Sequence, residues 1–149
     1  MRQEEYEDYA ARRDRGYVRS LAETMPVEAA EEKARQDSAR FLPQGLATER
    51  HHILVAENAD GQVVGYAWVG LDEPQRKAPD TAWLYDIRVE EPYRRSGYGR
   101  AILAAVEALV REAGAARLQL NVFGHNAAAI SLYQTCGYEV VAQQMEKRL

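Results

Sequence analysis

Residues 94 to 99 read Arg-Arg-Ser-Gly-Tyr-Gly, after an apolar run from Leu84 to Val89 and before an amphipathic stretch. Two glycines and three arginines (Arg94, Arg95 and Arg100) therefore stand where a strand hands over to a helix. Such a junction exposes backbone N–H groups, adds the positive end of a helix dipole and supplies side-chain charge, which together suit a phosphate group. A Gly-x-Gly alone is also an ordinary tight turn, so the flanking strand and helix carry the argument. The dinucleotide-binding fingerprint fits poorly. Ile102 takes the place of its third glycine, and the next strand runs into Asn121-Val122-Phe123 with no acidic residue. A Walker A loop fails too, because no Gly-Lys-Ser/Thr follows.

Asn126 and Tyr133 are seven residues apart, which on a helix puts them on one face about 10 Å apart along the axis. Asn126 reads equally as a helix N-cap, and Tyr133 as a core aromatic with its hydroxyl at the rim. An amide and a phenol on one face also suit an extended ligand lying along the helix. Three histidines, His51, His52 and His125, have the intrinsic pKa of a proton acceptor. The single cysteine, Cys136, rules out an internal disulfide and a thiolate metal cluster, and reads as a small structural residue.

The elements that must position these groups follow from pattern. Tyr6, Ala10, Arg13, Tyr17 and Leu21 recur at helical spacing over residues 1 to 22, against the grain of Gly16. A second helix begins at Pro26, with Val27, Ala30, Ala34 and Phe41 as its buried face, and ends at Leu42-Pro43-Gln44-Gly45. Ile53 to Ala56 and Val63 to Val69 flank Asn58-Ala59-Asp60-Gly61, a strong hairpin signal. Asp72 to Asp80, with Pro74 and Pro79, reads as a loop. A central strand spans Trp83 to Val89, and a helix runs from Gly97 to Ala113 and stops at Gly114. A strand over Leu118 to Val122, a helix over Asn126 to Gln134 and a last strand from Tyr138 to Ala142 complete the order. This is a mixed α/β sandwich around one sheet.

The whole chain sets the bounds. Its 149 residues, 46% hydrophobic and 28% charged, make one ordinary globular domain. The net charge of −4 argues against a nucleic-acid face. No apolar stretch is long enough to span a membrane, and the Met-Arg-Gln-Glu-Glu start is too polar for a signal peptide, so the expected location is the cytoplasm.

In order and spacing, three pieces resemble the Gcn5-related N-acetyltransferase superfamily: Asp86-Ile87-Arg88-Val89, Arg94 to Gly99, and Asn126 to Tyr133 followed by Gly137-Tyr138. The resemblance covers about His51 to the C-terminus. It implies an α/β fold with a mixed, mostly antiparallel sheet flanked by helices, here without the family's usual first strand. Residues 1–149 would form one domain, with 1–47 supplying two helices that shape the acceptor site and 48–149 the sheet and cofactor core. It also implies acetyl-coenzyme A as donor, direct transfer to a primary amine on a small molecule or peptide, and no nucleic-acid or membrane partner.

The implied cofactor residues are Ile87, Arg88, Val89, Arg94, Arg95, Ser96, Gly97, Tyr98, Gly99, Arg100, Asn126 and Tyr133, with no metal. Tyr133 would also be the general acid for the departing thiolate, and N–H groups near Val89 would stabilise the oxyanion. A general base is less legible. The glutamate that some relatives carry is Asn121 here, strand alternation turns Asp86 away from the face of Ile87, and a water chain would suffice. The acceptor site would draw on Phe41, Trp68, Trp83 and Tyr85. A sheet short at its margins leaves edges that a homodimer would cover. The competing reading is a non-catalytic acyl-CoA-binding module.

Overall fold

The computed structural model describes residues 1–71, 78 and 80–149. Helices α1 (Gln3–Leu21) and α2 (Val27–Phe41) come first, followed by the hairpin β1 (His51–Glu57) and β2 (Val63–Gly70). Then follow β3 (Thr81–Val89), α3 (Tyr98–Glu112), β4 (Arg117–Leu120) and α4 (Ala127–Thr135). Strand order is β1-β2-β3-β4, antiparallel through β3, with β4 parallel to β3. The parallel pair requires a crossover, and α3 is that crossover. The mixed, mostly antiparallel sheet flanked by helices is the expected fold, and no strand precedes α1 among the described residues. No described helix is long and apolar enough to cross a membrane.

Each face of the sheet carries its own core. Ala67, Val69, Ala82 and Leu84 pack against Ile102, Leu103, Val106 and Val110 of α3 and Tyr133 of α4. On the other face, Ile53, Tyr66 and Trp68 pack against Tyr9 of α1 and Leu42 beyond α2. Gly65 lets α3 come this close, because a Cβ there would run into the Arg88 carbonyl and sit 2.7 Å from Ile102 Cδ1.

At the start of helix α1 the Glu5 carboxylate accepts both the backbone N–H and the guanidinium of Arg2, with Glu4 and Glu5 at the positive end of the dipole. It runs through Gly16 for a packing reason. A Cβ at Gly16 would stand 2.8 Å from Arg88 Nη2, which reaches across from β3 to the Arg12 carbonyl. The hairpin turn is held by Asn58 Oδ1, which accepts the N–H groups of Asp60 and Gln62, and Gly61 takes φ +75°.

Four expectations need correction. The fully buried residues of α1 are Tyr9, Arg13 and Leu21, with Tyr6, Ala10 and Tyr17 only flanking them. Val27 is 52% exposed, and the buried residues of α2 are Ala30 and Ala34. Strand β4 stops at Leu120 rather than Val122, where its pairing with β3 ends. Residues 138 to 142 are not a strand: the chain beyond Gly137 is irregular, and Val140 and Val141 are 64% and 83% exposed. Strand propensity acts only where a segment pairs and packs; this one pairs with no described strand, and Tyr138 packs on Tyr133 while the residues after it are exposed. The loop expected over Asp72 to Asp80 falls largely on residues 72–77 and 79, outside the described residues.

Candidate active site

The site begins with a split in the sheet. Strands β3 and β4 pair only from Thr81↔Arg117 to Leu84↔Leu120 and then part. Beyond Leu84, β3 keeps β2 on one side and no strand on the other. Glu90 donates its N–H to Val64 of β2, so by alternation the N–H and C=O groups of Ile87 and Val89 face the open edge. A peptide-like ligand arm can pair there as an extra strand would.

A bulge sets what faces each side of the split. Trp68 pairs with Asp86 and Val69 with Leu84, leaving Tyr85 as an inserted residue. An inserted residue shifts the alternation by one. Ala82 and Leu84 point to the α3 face, and so do Ile87 and Val89 after the shift. Tyr85 and Asp86 both point to the α1 face, where Tyr85 stacks on Trp68 and Asp86 accepts the Tyr9 hydroxyl at 3.0 Å. The change of apolar parity from 82 and 84 to 87 and 89 is the sequence signal for this bulge.

At one end of the cleft lies the glycine loop. Arg95 has φ +64° and Gly97, the N-cap of α3, has φ +85°. A non-glycine residue in that region costs about 1 kcal/mol or more, the kind of strain that collects at binding loops. No side chain caps α3, so its first N–H groups point outward beside Ser96, Tyr98 and Gly99. Arg94 Nε donates to the Val89 carbonyl at 3.1 Å, and Arg100 Nη2 to Thr135 Oγ1 at 3.2 Å. Among the described residues none of Arg94, Arg95 and Arg100 has a carboxylate partner. An uncapped helix N-terminus ringed by unneutralised guanidinium groups is an anion site. Arg88 sits apart from it, its side chain turned to α1.

Helix α4 closes the cleft. Asn126 is its N-cap, with Oδ1 accepting the Ala129 N–H at 3.2 Å. A Cβ on Gly99 would lie 3.3 Å from Leu132, so that glycine keeps the starts of α3 and α4 in contact. Tyr133 is 8% exposed, and its hydroxyl makes no hydrogen bond within the described residues. Burial pushes its pKa up to about 12, and the nearby Asp86 charge pushes the same way. At neutral pH it is a protonated phenol at the split, able to donate.

Asp86 lies across the split from it. Burial raises its pKa, against the opposing pull of the Arg88 charge and the Tyr9 hydrogen bond. Tyr9 is itself held protonated, first by burial and then by the Asp86 charge. A carboxyl pushed upward beside a protonated phenol is the pairing that acid–base chemistry uses. Strand alternation does turn Asp86 away from Ile87, but toward the side of α1 and α2.

Of the other candidate bases, His51 accepts the Trp68 Nε1–H at 2.9 Å, His52 is exposed, and His125 stacks on Phe123. Asn121 is exposed past the end of β4. No group of three or more metal-ligating side chains occurs among the described residues. Sequence pattern alone missed Tyr9, whose nearest hint is its four-residue spacing from Arg13.

Comparison with known proteins bears on the family and the fold. Residues 16–138 match the Acetyltransferase (GNAT) family. YycN of Bacillus subtilis, an uncharacterised N-acetyltransferase, is 32% identical over 151 residues, covering 100% of this chain and 96% of YycN. Its crystal structure superposes with a TM-score of 0.90, over 100% of this chain and 95% of that one. Aminoglycoside N(6')-acetyltransferase type 1 of Stenotrophomonas maltophilia is 32% identical over 106 residues, 69% of each chain. The fold alone is shared, at 18% identity and a TM-score of 0.61 over 100% of this chain and 94% of that one, with AAC(6')-Iy bound to the bisubstrate analogue CoA-S-monomethyl-acetylneamine.

Proposed function

The chain belongs to the GNAT acetyltransferase family and is an N-acetyltransferase; on that premise we propose that it draws its acetyl group from acetyl-coenzyme A and passes it directly to a primary amine. The observation that carries the donor is the uncapped α3 N-terminus with Arg94, Arg95 and Arg100, next to the stretch of β3 that β4 leaves unpaired. The loop from Arg94 to Gly99 would hold the pyrophosphate with its amides. Ile87 and Val89 would pair with the pantetheine arm along the open edge of β3, and the Asn126 amide, its Oδ1 already used for capping, would offer its N–H donors. The CoA-based analogue bound by AAC(6')-Iy supports the same donor.

The acceptor would enter on the α1 and α2 side. Asp86 accepts the proton of the attacking amine, aided by Tyr9, which holds the carboxyl in one orientation. The amine nitrogen bonds to the acetyl carbon, the C–S bond breaks, and Tyr133 gives its proton to the leaving thiolate. The N–H of Val89 is available to the oxyanion. Residues 1–149 act as one domain, and the cytoplasm is the place of action that fits a coenzyme A donor. A homodimer would cover the open edge of β4, and a monomer by light scattering at high concentration removes that part.

The test is a free-thiol assay over an amine panel with Tyr133→Phe beside the natural chain. That substitution lowers kcat by about a hundredfold and leaves acetyl-CoA affinity unchanged. Equal rates for the two proteins would refute the role of Tyr133. Tight acetyl-CoA binding with no thiol release from any amine would refute transfer itself.

A further inference from the structure

We propose that the acceptor is a primary amine carried on a flat aromatic body, seated on a wall of half-exposed rings and presented to Asp86. This rests on the acetyltransfer reading above and names the substrate class of that site. The α1 face of the sheet carries two kinds of aromatic residue. Tyr9, Tyr66 and Trp68 are core, 1%, 9% and 6% exposed. Tyr17, Phe41, Trp83, Tyr85 and Phe123 are only half-buried, so their rings still reach solvent.

The half-buried rings stand on both banks of the split. Tyr85 lies one residue beyond the last β3 pairing position, stacked on Trp68 with centroids 4.3 Å apart, and meets Phe41 at 5.1 Å and Trp83 at 6.5 Å. Phe123 lies three residues beyond the last β4 pairing position and meets Tyr17 of α1 at 6.3 Å. Helix α2 joins the two banks. Its Asp37 accepts the Tyr17 hydroxyl at 2.9 Å, and one turn later its Phe41 packs on Tyr85. Aromatic side chains are common lining for small-molecule sites.

The charges of the wall select the same class. Among the described residues Asp86 accepts from the Tyr9 hydroxyl and has no cationic partner in hydrogen-bond range. Asp37 is taken by Lys33 at 2.9 Å and by Tyr17. Arg13, which lies over the Trp68 ring, is taken by Asp14 at 2.6 Å and Ser38 at 2.8 Å. Arg88 is turned to α1. One anion beside several ring faces suits one amine and an apolar body, through stacking and cation–π contact. A polycation would need several free carboxylates.

The experiment compares kcat/KM on the natural chain for 2-phenylethylamine, n-butylamine, spermidine, kanamycin and a short peptide beginning with alanine. We expect 2-phenylethylamine to exceed each of the others at least tenfold. Trp83→Ala and Phe123→Leu should each raise KM for 2-phenylethylamine severalfold more than KM for n-butylamine. Acetylation of several amines with no preference for the aromatic one overturns the substrate class and leaves the transferase reading standing. So does a loss in either variant that is equal for every amine. Acetyl-CoA binding with no amine acetylated overturns the transferase reading, and this inference falls with it.

Discussion

Two side chains on either side of the split, Asp86 and Tyr133, set the pH behaviour to be expected. Asp86 must be charged to accept a proton, and its pKa lies above the ordinary carboxylate range because it is buried. With amine saturating, kcat should therefore rise with pH through that raised value. Tyr133 must keep its proton, and with its pKa pushed up to about 12 it does so throughout the working range. No alkaline fall is expected below about pH 10, since kcat reports the groups of the bound complex. Asp86→Asn should abolish the acid limb together with most of the rate. The same residue carries a stability cost. Its folded pKa is raised, so the fold is favoured while Asp86 is protonated and loses that contribution as pH rises through the raised value. Asp86→Asn, whose amide oxygen can still accept from Tyr9, should thus melt no lower than the natural chain at pH 7. A clear drop in melting temperature would show that the charge is satisfied where it lies.

Among the elements, the α3 junction and β2 bear most of the geometric constraint. Gly97 at φ +85° has open space around it, so Gly97→Val should fold but strain the loop that offers its amides. Its effect belongs in acetyl-CoA affinity, measured by calorimetry, with melting temperature moved little. Gly65→Ala is the converse. Its new methyl meets the Arg88 backbone and Ile102, an overpacking that costs about 1–3 kcal/mol and lowers the melting temperature by several degrees. Element identity was largely legible: the hairpin, the glycine loop and the helix behind it all follow from local turn chemistry and periodicity. The end of β4 was not, because Asn121 and Val122 leave the sheet for want of a partner rather than for want of strand propensity. The C-terminal segment misled for the same reason. Tyr9 was illegible as chemistry, since it acquires its role only when α1 is laid across β3, and the bulge at Tyr85 left only its change of apolar parity.

At the scale of the molecule, the residues proposed for donor and acceptor fall on opposite faces of the sheet. Ile87, Val89 and Tyr133 belong to the α3 and α4 side, while Tyr85, Asp86 and the ring wall belong to the side of α1 and α2. The anion site should therefore respond to salt and the acceptor site much less. Raising ionic strength should weaken acetyl-CoA binding, through screening of the exposed arginines, while leaving KM for an aromatic amine nearly unchanged. Parallel losses in both would contradict the division. Acetyl-CoA at about a hundred times its Kd should also stabilise the fold by about 2.7 kcal/mol, visible as a rise in melting temperature that free amine alone does not produce.

The inserted residue at Tyr85 has a consequence for how such a chain can be altered. Changing the side chain at 85 alters one ring of the wall and leaves the strand in phase. Removing the residue turns Ile87 and Val89 out of the α3 core and Asp86 into it, so both halves of the reaction would be lost in a single deletion. Acceptor preference is thus open to drift by point substitution, whereas the count of residues between Leu84 and Ile87 is closed to it. A deletion scan across β3 should tolerate loss nowhere in that interval, while saturation mutagenesis at position 85 should return folded proteins with altered amine choice.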